Sequence, residues 1–188
     1  MQRLGVDAFP EPEHCPFCRG VIDTLGHHCS ACMAGGDAVV RHNEIRNSTH
    51  REAAKANMRP ELEKQGLLSE LGWPELAVRR PADTLLVSGA ALAVTSSRRF
   101  PRVASDFAAV SPFAIGSIRE ASKEQLATAK AYSEVKRQYK STQSLCEEVD
   151  VGFEPIVFET TGGLEPEGQK VLESILAENA LALSLIHI

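Results

Sequence analysis

The sequence predicts a mixed α/β (α+β) domain with a small sheet, preceded by a compact metal-binding segment. Four of the five cysteines and four of the six histidines lie between His14 and His42. Beyond this segment, apolar residues recur at helical spacing in some stretches and form short continuous runs in others. The order helix, hairpin, long helix, strand, helix is typical of a mixed α/β domain. No run of about 18 apolar residues occurs, so we expect no membrane-spanning segment.

The cysteine spacing predicts one structural zinc site. Cys15 and Cys18 form one Cys-x2-Cys pair, and Cys29 and Cys32 form a second pair that directly follows His28. A structural Zn²⁺ needs four thiolate or imidazole ligands, and this spacing lets two thiolates reach one ion. The segment also has few aliphatic residues with which it could fold without a metal.

The fourth zinc ligand stays open on spacing alone. Cys15, Cys18 and Cys32 belong to every sensible arrangement, and either Cys29 or His28 completes the set. The all-cysteine set is slightly favoured by spacing. We expect reduced thiols, and therefore a nuclear or cytoplasmic protein, because the acidic N-terminal residues do not form a secretory signal.

The chain divides into five segments. Residues 1–13 are expected to be an extended lead-in, residues 14–37 the zinc knuckle and residues 38–58 a basic amphipathic helix. Residues 59–180 form the main domain, and residues 181–188 have the character of a non-native tail. The net charge is −5, yet residues 141–188 hold one basic residue against nine acidic ones. Any nucleic-acid surface therefore belongs to the first 140 residues.

Within the main domain, local patterns predict each element in turn. We expect a short helix over residues 61–71 and then a hairpin, with strands 82–87 and 90–95 joined by Ser88-Gly89. Residues 96–112 have no clear pattern. Apolar residues spaced by three or four predict one long helix over residues 118–148.

The C-terminal part is expected to form a strand followed by a helix. The run at residues 153–160 is typical of a buried strand, and Gly162-Gly163 predicts a turn after it. A last helix should then begin near Glu165.

The order of these motifs resembles one known family. Cys-x2-Cys and His-x3-Cys are followed by Gly35-Gly36-Asp37 and then by Arg41-His42-Asn43. This arrangement is similar to the C-terminal region of reverse transcriptases from non-LTR (LINE-type) retrotransposons that carry a restriction-like endonuclease. Further matching stretches are Glu63 to Leu68, Arg80 to Asp83, Ala93 to Ser96, Lys136 to Tyr139, and Phe153 to Gly163.

The resemblance covers roughly residues 14–176, and it implies a fold and a ligand set. It implies a Cys-Cys-His-Cys knuckle, which selects His28 as the fourth ligand, followed by a PD-(D/E)xK-type restriction-endonuclease-like domain. The polymerase domain of such a protein would lie upstream of this segment.

The resemblance also implies a catalytic site for phosphodiester hydrolysis. Such a site holds Mg²⁺ by two carboxylates on adjacent strands, together with a lysine that orients the attacking water. Asp83 occupies the place of the first carboxylate, and Glu63 on the preceding helix is expected to assist it. Lys136 matches the family lysine. Glu159, which lies on the expected last strand, is a candidate to replace an acidic ligand.

The second family carboxylate is absent from the sequence motif. The family pattern has Leu-Asp-Val ahead of Ala-Val-Thr-Ser, whereas here Leu92 runs directly into Ala93. We therefore expect a degenerate nuclease with little activity, in which Mg²⁺ binds only if the site is functional. One alternative is an active Mg²⁺-dependent nicking enzyme in which Glu63, Asp83 and Glu159 bind the metal without the missing carboxylate. A second alternative is a zinc-stabilised protein-interaction domain.

Basic residues after the knuckle predict contacts with DNA or RNA. Arg41, His42 and Asn43 are expected at the start of a helix, where side chains and free N–H groups can bind phosphate together. Arg46 and Arg51 extend this surface along the helix. Alternatively, His42 and Asn43 tie the knuckle to the helix by hydrogen bonds. We expect neither a membrane nor a small-molecule substrate as a partner.

Overall fold

A four-stranded mixed sheet forms the centre of the main domain. In the computed structural model, which describes residues 6–93, 98–114 and 116–186, the strand order is β3-β4-β5-β6. Strands β3 (Glu61–Leu62), β4 (Thr84–Ala93) and β5 (Arg99–Val110) are antiparallel, and β6 (Gly152–Glu159) runs parallel to β5. Pro155 is compatible with β6 because this strand lies at the sheet edge, where one side of its backbone needs no partner.

Helices cover both faces of the sheet. On one face, α2 (Asp37–Lys55) and α7 (Pro166–Ile186) pack against each other and on the strands. On the other face lie α5 (Ala127–Gln138) and α6 (Thr142–Glu148). The side chains of β5 alternate accordingly, since Val103 and Phe107 join the first core and Ala104 joins the second.

The zinc segment forms a small separate layer at the start of α2. It consists of a two-stranded hairpin, β1 (Glu13–His14) with β2 (Val21–Ile22), and the short helix α1 (His27–Ala31). Two further short helices, α3 (Pro74–Ala77) and α4 (Ile118–Ala121), lie in the connections of the main domain. None of the helices in the described ranges is long and apolar enough to cross a bilayer.

The expected mixed α/β class and the two C-terminal elements are confirmed. Strand β6 and helix α7 begin within one residue of the expected positions. The basic helix also exists, but it begins at Asp37, directly after Gly36 with φ +80°, and ends at Lys55. The expected non-native tail, residues 181–188, falls where the structure describes only the backbone as far as Ile186, so its side chains lie outside the described part of the chain.

Three expected elements are wrong. Residues 61–71 form the short strand β3 and a 3-10 turn at Ser69–Leu71 instead of a helix. The expected turn at Ser88-Gly89 is a register irregularity within β4, and the partner strand is β5 in the segment without a clear pattern. The expected long helix is divided into α4, α5 and α6 by left-handed residues, Leu126 at φ 61° and Lys140 at φ 49°.

A buried ion pair fixes α5 on the sheet, and it gives a test of the packing. Arg137 Nη2 lies 2.5 Å from Glu154 Oε1 on β6, and both side chains are buried, at 8% and 0% exposed. We expect Arg137→Met to lower the free energy of unfolding by about 3–5 kcal/mol, because it leaves a buried carboxylate without this partner. Denaturant unfolding would measure the loss. The double variant Arg137→Met/Glu154→Leu should recover much of it, and no recovery would contradict this role for the pair.

Candidate metal centre and candidate active site

Four side chains of the zinc segment converge on one point. Cys15, Cys18, His28 and Cys32 each offer a ligand atom, and these atoms all lie within 4.8 Å of one another. The Sγ atoms of Cys15 and Cys18 lie 3.8 and 3.7 Å from Cys32 Sγ, and Cys18 Sγ lies 3.1 Å from His28 Nε2. Three thiols and one imidazole at these separations fit tetrahedral Zn²⁺. Within the described ranges, no other group of three or more potential ligands converges in this way.

Local backbone geometry prepares the first thiol for a metal. Hydrogen bonds from the backbone N–H groups of Cys18 and Phe17, with a further contribution from His28, lower the pKa of Cys15 to about 6. A thiolate is the form that binds zinc, so this turn favours the ligand state before the metal arrives. Gly20 is needed nearby, because an added Cβ would come within 2.7 Å of the His28 ring.

The remaining cysteine and histidines of the segment have other surroundings. Cys29 is exposed and outside the converging set, so the all-cysteine alternative is not the arrangement found. The His27 ring stacks on Phe113 at a centroid distance of 3.8 Å, and His14 Nδ1 lies 3.3 Å from the carbonyl oxygen of Arg19. His28 is therefore the fourth member, as the family resemblance implied.

Zinc content provides the direct test of this centre. We expect about one Zn²⁺ per chain, and we expect Cys15→Ser and Cys32→Ser to lose it because three ligands hold zinc far more weakly than four. Cys29→Ser is the matched control and should keep its zinc. Elemental analysis of each purified protein measures the content. A zinc-free parent protein, or zinc loss in Cys29→Ser with retention in His28→Ala, would contradict the assignment.

A second polar site lies where β4 begins. Thr84 is paired with Ser105, so the next antiparallel step places Asp83 opposite Asp106. The Asp83 N–H donates to the Ser105 carbonyl at 3.1 Å, and the Phe107 N–H donates to Asp83 Oδ2 at 2.8 Å. Two carboxylates on neighbouring strands therefore face one pocket of about 330 Å³.

Lys136 approaches the same pocket from α5. Its Nζ lies 2.7 Å from Asp106 Oδ2. Burial raises the pKa of Asp106 to about 6; the lysine opposes this rise, and the neighbouring Asp83 adds to it. Burial disfavours the ammonium of Lys136, but the hydrogen bond and charge of Asp106 outweigh this and raise the lysine pKa. A buried carboxyl and a lysine that shift each other's pKa inside a pocket are typical of a functional site.

Glu63 lines this pocket, but its carboxylate is already paired. It lies just after β3, with a left-handed φ of 45°, and not on a helix as expected. Oε1 accepts from Arg46 at 3.0 Å and Oε2 accepts from Arg80 at 2.5 Å. The two arginines therefore compete with any cation for this carboxylate.

Glu159 is not part of the pocket. It is paired with Val110, four residues along β6 from the Pro155 position opposite Asp106, which is about 13 Å in a strand. Its Oε1 accepts instead from the Ala129 N–H at 3.3 Å. The expectation that Glu159 replaces the missing carboxylate is therefore wrong.

The residues expected to bind phosphate are mostly engaged within the chain. Arg41, His42 and Asn43 lie in the second turn of α2, so they are not at its N-terminus as expected. Arg41 Nη2 donates to the Ser30 carbonyl at 3.0 Å, which ties the helix to the zinc segment.

Further along the same helix, Arg46 pairs with Glu63, whereas Arg51 is exposed and donates to Ser48 Oγ on its own helix. His42 Nε2 lies 2.9 Å from Asp83 Oδ2, and Asn43 Oδ1 lies 3.4 Å from the other ring nitrogen. The expected tie to the knuckle is thus made by Arg41, and His42 reaches the carboxylate pocket instead.

Asp106 is the residue that sequence reasoning missed. It lies in the segment without a clear pattern, although Val103 to Val110 is a largely apolar run interrupted by Ser105 and Asp106. An acid within such a run is a recognisable signal, because an isolated charge in a buried strand needs a partner. No protein-family model matches the chain, and no curated protein matches it.

Proposed function

We propose that this chain is a segment of a retroelement reverse transcriptase in which a nucleic-acid-binding zinc module is joined to a restriction-like, PD-(D/E)xK-type nuclease domain. The proposal is supported by the placement of Asp83 opposite Asp106 with Lys136 beside them. The motif order of the sequence and the helix-covered mixed sheet are in keeping with it.

The pocket favours an active Mg²⁺ site over a degenerate one. The expected loss of activity rested on an absent carboxylate, and Asp106 supplies a carboxylate on the adjacent strand. Asp83 and Asp106 would hold a hard cation through oxygen, and bound Mg²⁺ would polarise the scissile phosphate. Lys136 would position the attacking water or stabilise the charge that develops on the phosphate.

Cations at the rim fit a phosphate backbone. Arg79 and Arg80 line the pocket, and both also line the adjoining groove of about 850 Å³, which carries Lys140 and Trp73. Trp73 is 63% exposed. Basic side chains beside an exposed aromatic ring are the elements that bind a nucleic-acid strand. Arg79 donates to the Lys140 and Tyr139 carbonyls, and Arg80 is paired with Glu63, so these arginines are engaged like those of α2. They differ in bordering the carboxylate pocket, and for that reason this rim is the surface that we propose for the substrate.

Plasmid nicking tests the nuclease assignment. We expect Mg²⁺-dependent nicking of supercoiled plasmid, and we expect Asp83→Ala and Asp106→Asn each to slow it by about a hundredfold or more. Loss of a carboxylate ligand weakens the cation that supplies several kcal/mol of charge stabilisation. The rate is read from the conversion of supercoiled to open-circular DNA.

Glu159→Gln is the matched control for this experiment. It changes an acid on the neighbouring strand β6 that lies outside the pocket, so the nicking rate should stay unchanged. If the parent protein shows no Mg²⁺-dependent nicking, the domain is a degenerate nuclease. Nicking that survives Asp106→Asn would show that another group completes the site.

Salt-dependent binding tests the proposed rim. We expect Arg80→Ala/Lys140→Ala to weaken duplex DNA binding and to make the log–log salt slope shallower by about 0.9 for each phosphate that the variant no longer neutralises. Fluorescence anisotropy over a range of salt concentrations would measure both quantities. The control variant Lys55→Ala/Lys170→Ala removes two exposed cations from α2 and α7.

Equal losses in both variants would indicate general charge attraction without a defined surface. No binding by the parent protein would favour the protein-interaction alternative. That alternative has its own support in the zinc segment, where Phe17 and Met33 are 67% and 74% exposed.

A further inference from the structure

Consecutive residues of α2 bind two different parts of the molecule. Arg41 donates to the Ser30 carbonyl of the zinc segment at 3.0 Å. His42 contacts Asp83 Oδ2 in the carboxylate pocket, at 2.9 Å from its Nε2. Neighbouring side chains on a helix diverge by about 100°, so one turn of α2 can reach both parts at once.

We propose that His42 is a positioning residue for Asp83, so that the helix fixed by the zinc segment sets the orientation of the cation-binding carboxylate. The inference rests on the proposed nuclease function, since it assigns His42 to the site where Asp83 would hold Mg²⁺. The site then contains Asp83, Asp106 and Lys136, together with His42 from the helix layer on the opposite face of the sheet.

The hydrogen bonds on Asp83 show how positioning would operate. In the described part of the chain, two nitrogen donors, His42 Nε2 and the Phe107 N–H, bind the same oxygen, Oδ2. Neither of these bonds uses Oδ1, so that oxygen can serve a cation shared with Asp106. Partners that orient a ligating carboxylate in this way raise metal affinity without touching the metal.

The helix that carries His42 is held at several points. Arg41 fixes its first turns to the zinc segment, and Arg46 joins it to Glu63 at 3.0 Å, one turn beyond His42. Further along, Thr49 and Ala53 are buried. Packed elements of this kind hold a functional side chain more accurately than a loop does.

The hydrogen bonds of His42 indicate that it positions Asp83 and does not act directly in catalysis. The Nε2 atom of His42 is used by Asp83, so it is not the atom that would take a proton from water. Its Nδ1 lies beside Asn43 on the same helix, at 3.4 Å from Oδ1. His42 therefore acts through Asp83.

Cation binding tests the inference apart from activity. Mn²⁺ serves as the probe, and electron paramagnetic resonance of the zinc-loaded full chain measures the free ion during titration. We expect His42→Ala to weaken Mn²⁺ binding about 10–100-fold, the usual effect of losing a residue that orients a metal ligand. His42→Gln should recover most of the affinity, because its amide nitrogen can donate at nearly the position of Nε2.

Two controls accompany the titration. His50→Ala changes another histidine of α2, one that makes no hydrogen bond or ion pair in the described part of the chain, and it should bind Mn²⁺ like the parent. Asp83→Ala removes the proposed metal ligand itself, so this variant should lose the Mn²⁺ site. Zinc content and thermal melting of each variant show that the fold is retained.

The outcomes separate the two proposals. If Asp83→Ala abolishes the Mn²⁺ site but His42→Ala leaves it intact, the positioning role is wrong and the nuclease proposal stands. If Asp83→Ala binds Mn²⁺ as the parent does, both proposals fail. If His42→Ala does not fold, His42→Phe replaces it in the comparison with His42→Gln. If His42→Phe and His42→Gln bind Mn²⁺ with equal affinity, the inference is overturned. If only His42→Phe binds Mn²⁺ more weakly than the parent, the inference is supported.

Discussion

The antiparallel register between β4 and β5 is the constraint on which the candidate active site depends. With Thr84 opposite Ser105, Asp83 stands opposite Asp106 and its Oδ2 reaches the Phe107 N–H. A slip of one residue would move every β5 side chain to the other face of the sheet and separate the two acids. Val103 and Phe107 are buried in one core and Ala104 in the other, so a slip would disrupt both cores. This packing therefore fixes the register that brings the two acids together.

The zinc segment depends on local chemistry, and for this reason most of its ligand set could be predicted. All four ligands lie within 18 residues, and two Cys-x2-Cys turns leave few ways to surround a metal. The choice between His28 and Cys29 could not be made from spacing, because these two residues are adjacent and lie at nearly the same sequence distance from the other three ligands. It depends on α1, whose helical turn brings His28 towards Cys18 and leaves Cys29 exposed.

The acidic pocket depends on distant contacts, and here local patterns failed. Ser88-Gly89 resembles a hairpin turn, but a longer β4 gains a longer antiparallel partner in β5, and the irregularity after Val87 is absorbed within the pair. The partner of Asp83 across the strand pair, Asp106, lies 23 residues away, in a segment for which the sequence pattern predicted no element. Likewise, helical spacing continues through Lys140, although two left-handed residues break the helix there.

Two helix layers meet at this end of the sheet, and the site uses both. His42 of α2 contacts Asp83, and Lys136 of α5 contacts Asp106. The residue after Lys136 is Arg137, whose buried pair with Glu154 anchors the same turn of α5 to β6. The position of Lys136 therefore depends on that ion pair, as the position of His42 depends on the bond between Arg41 and Ser30. Because the contacts of His42 and Lys136 in the pocket each lie next to a contact that holds their helix outside it, the pocket geometry follows from the packing of both helix layers.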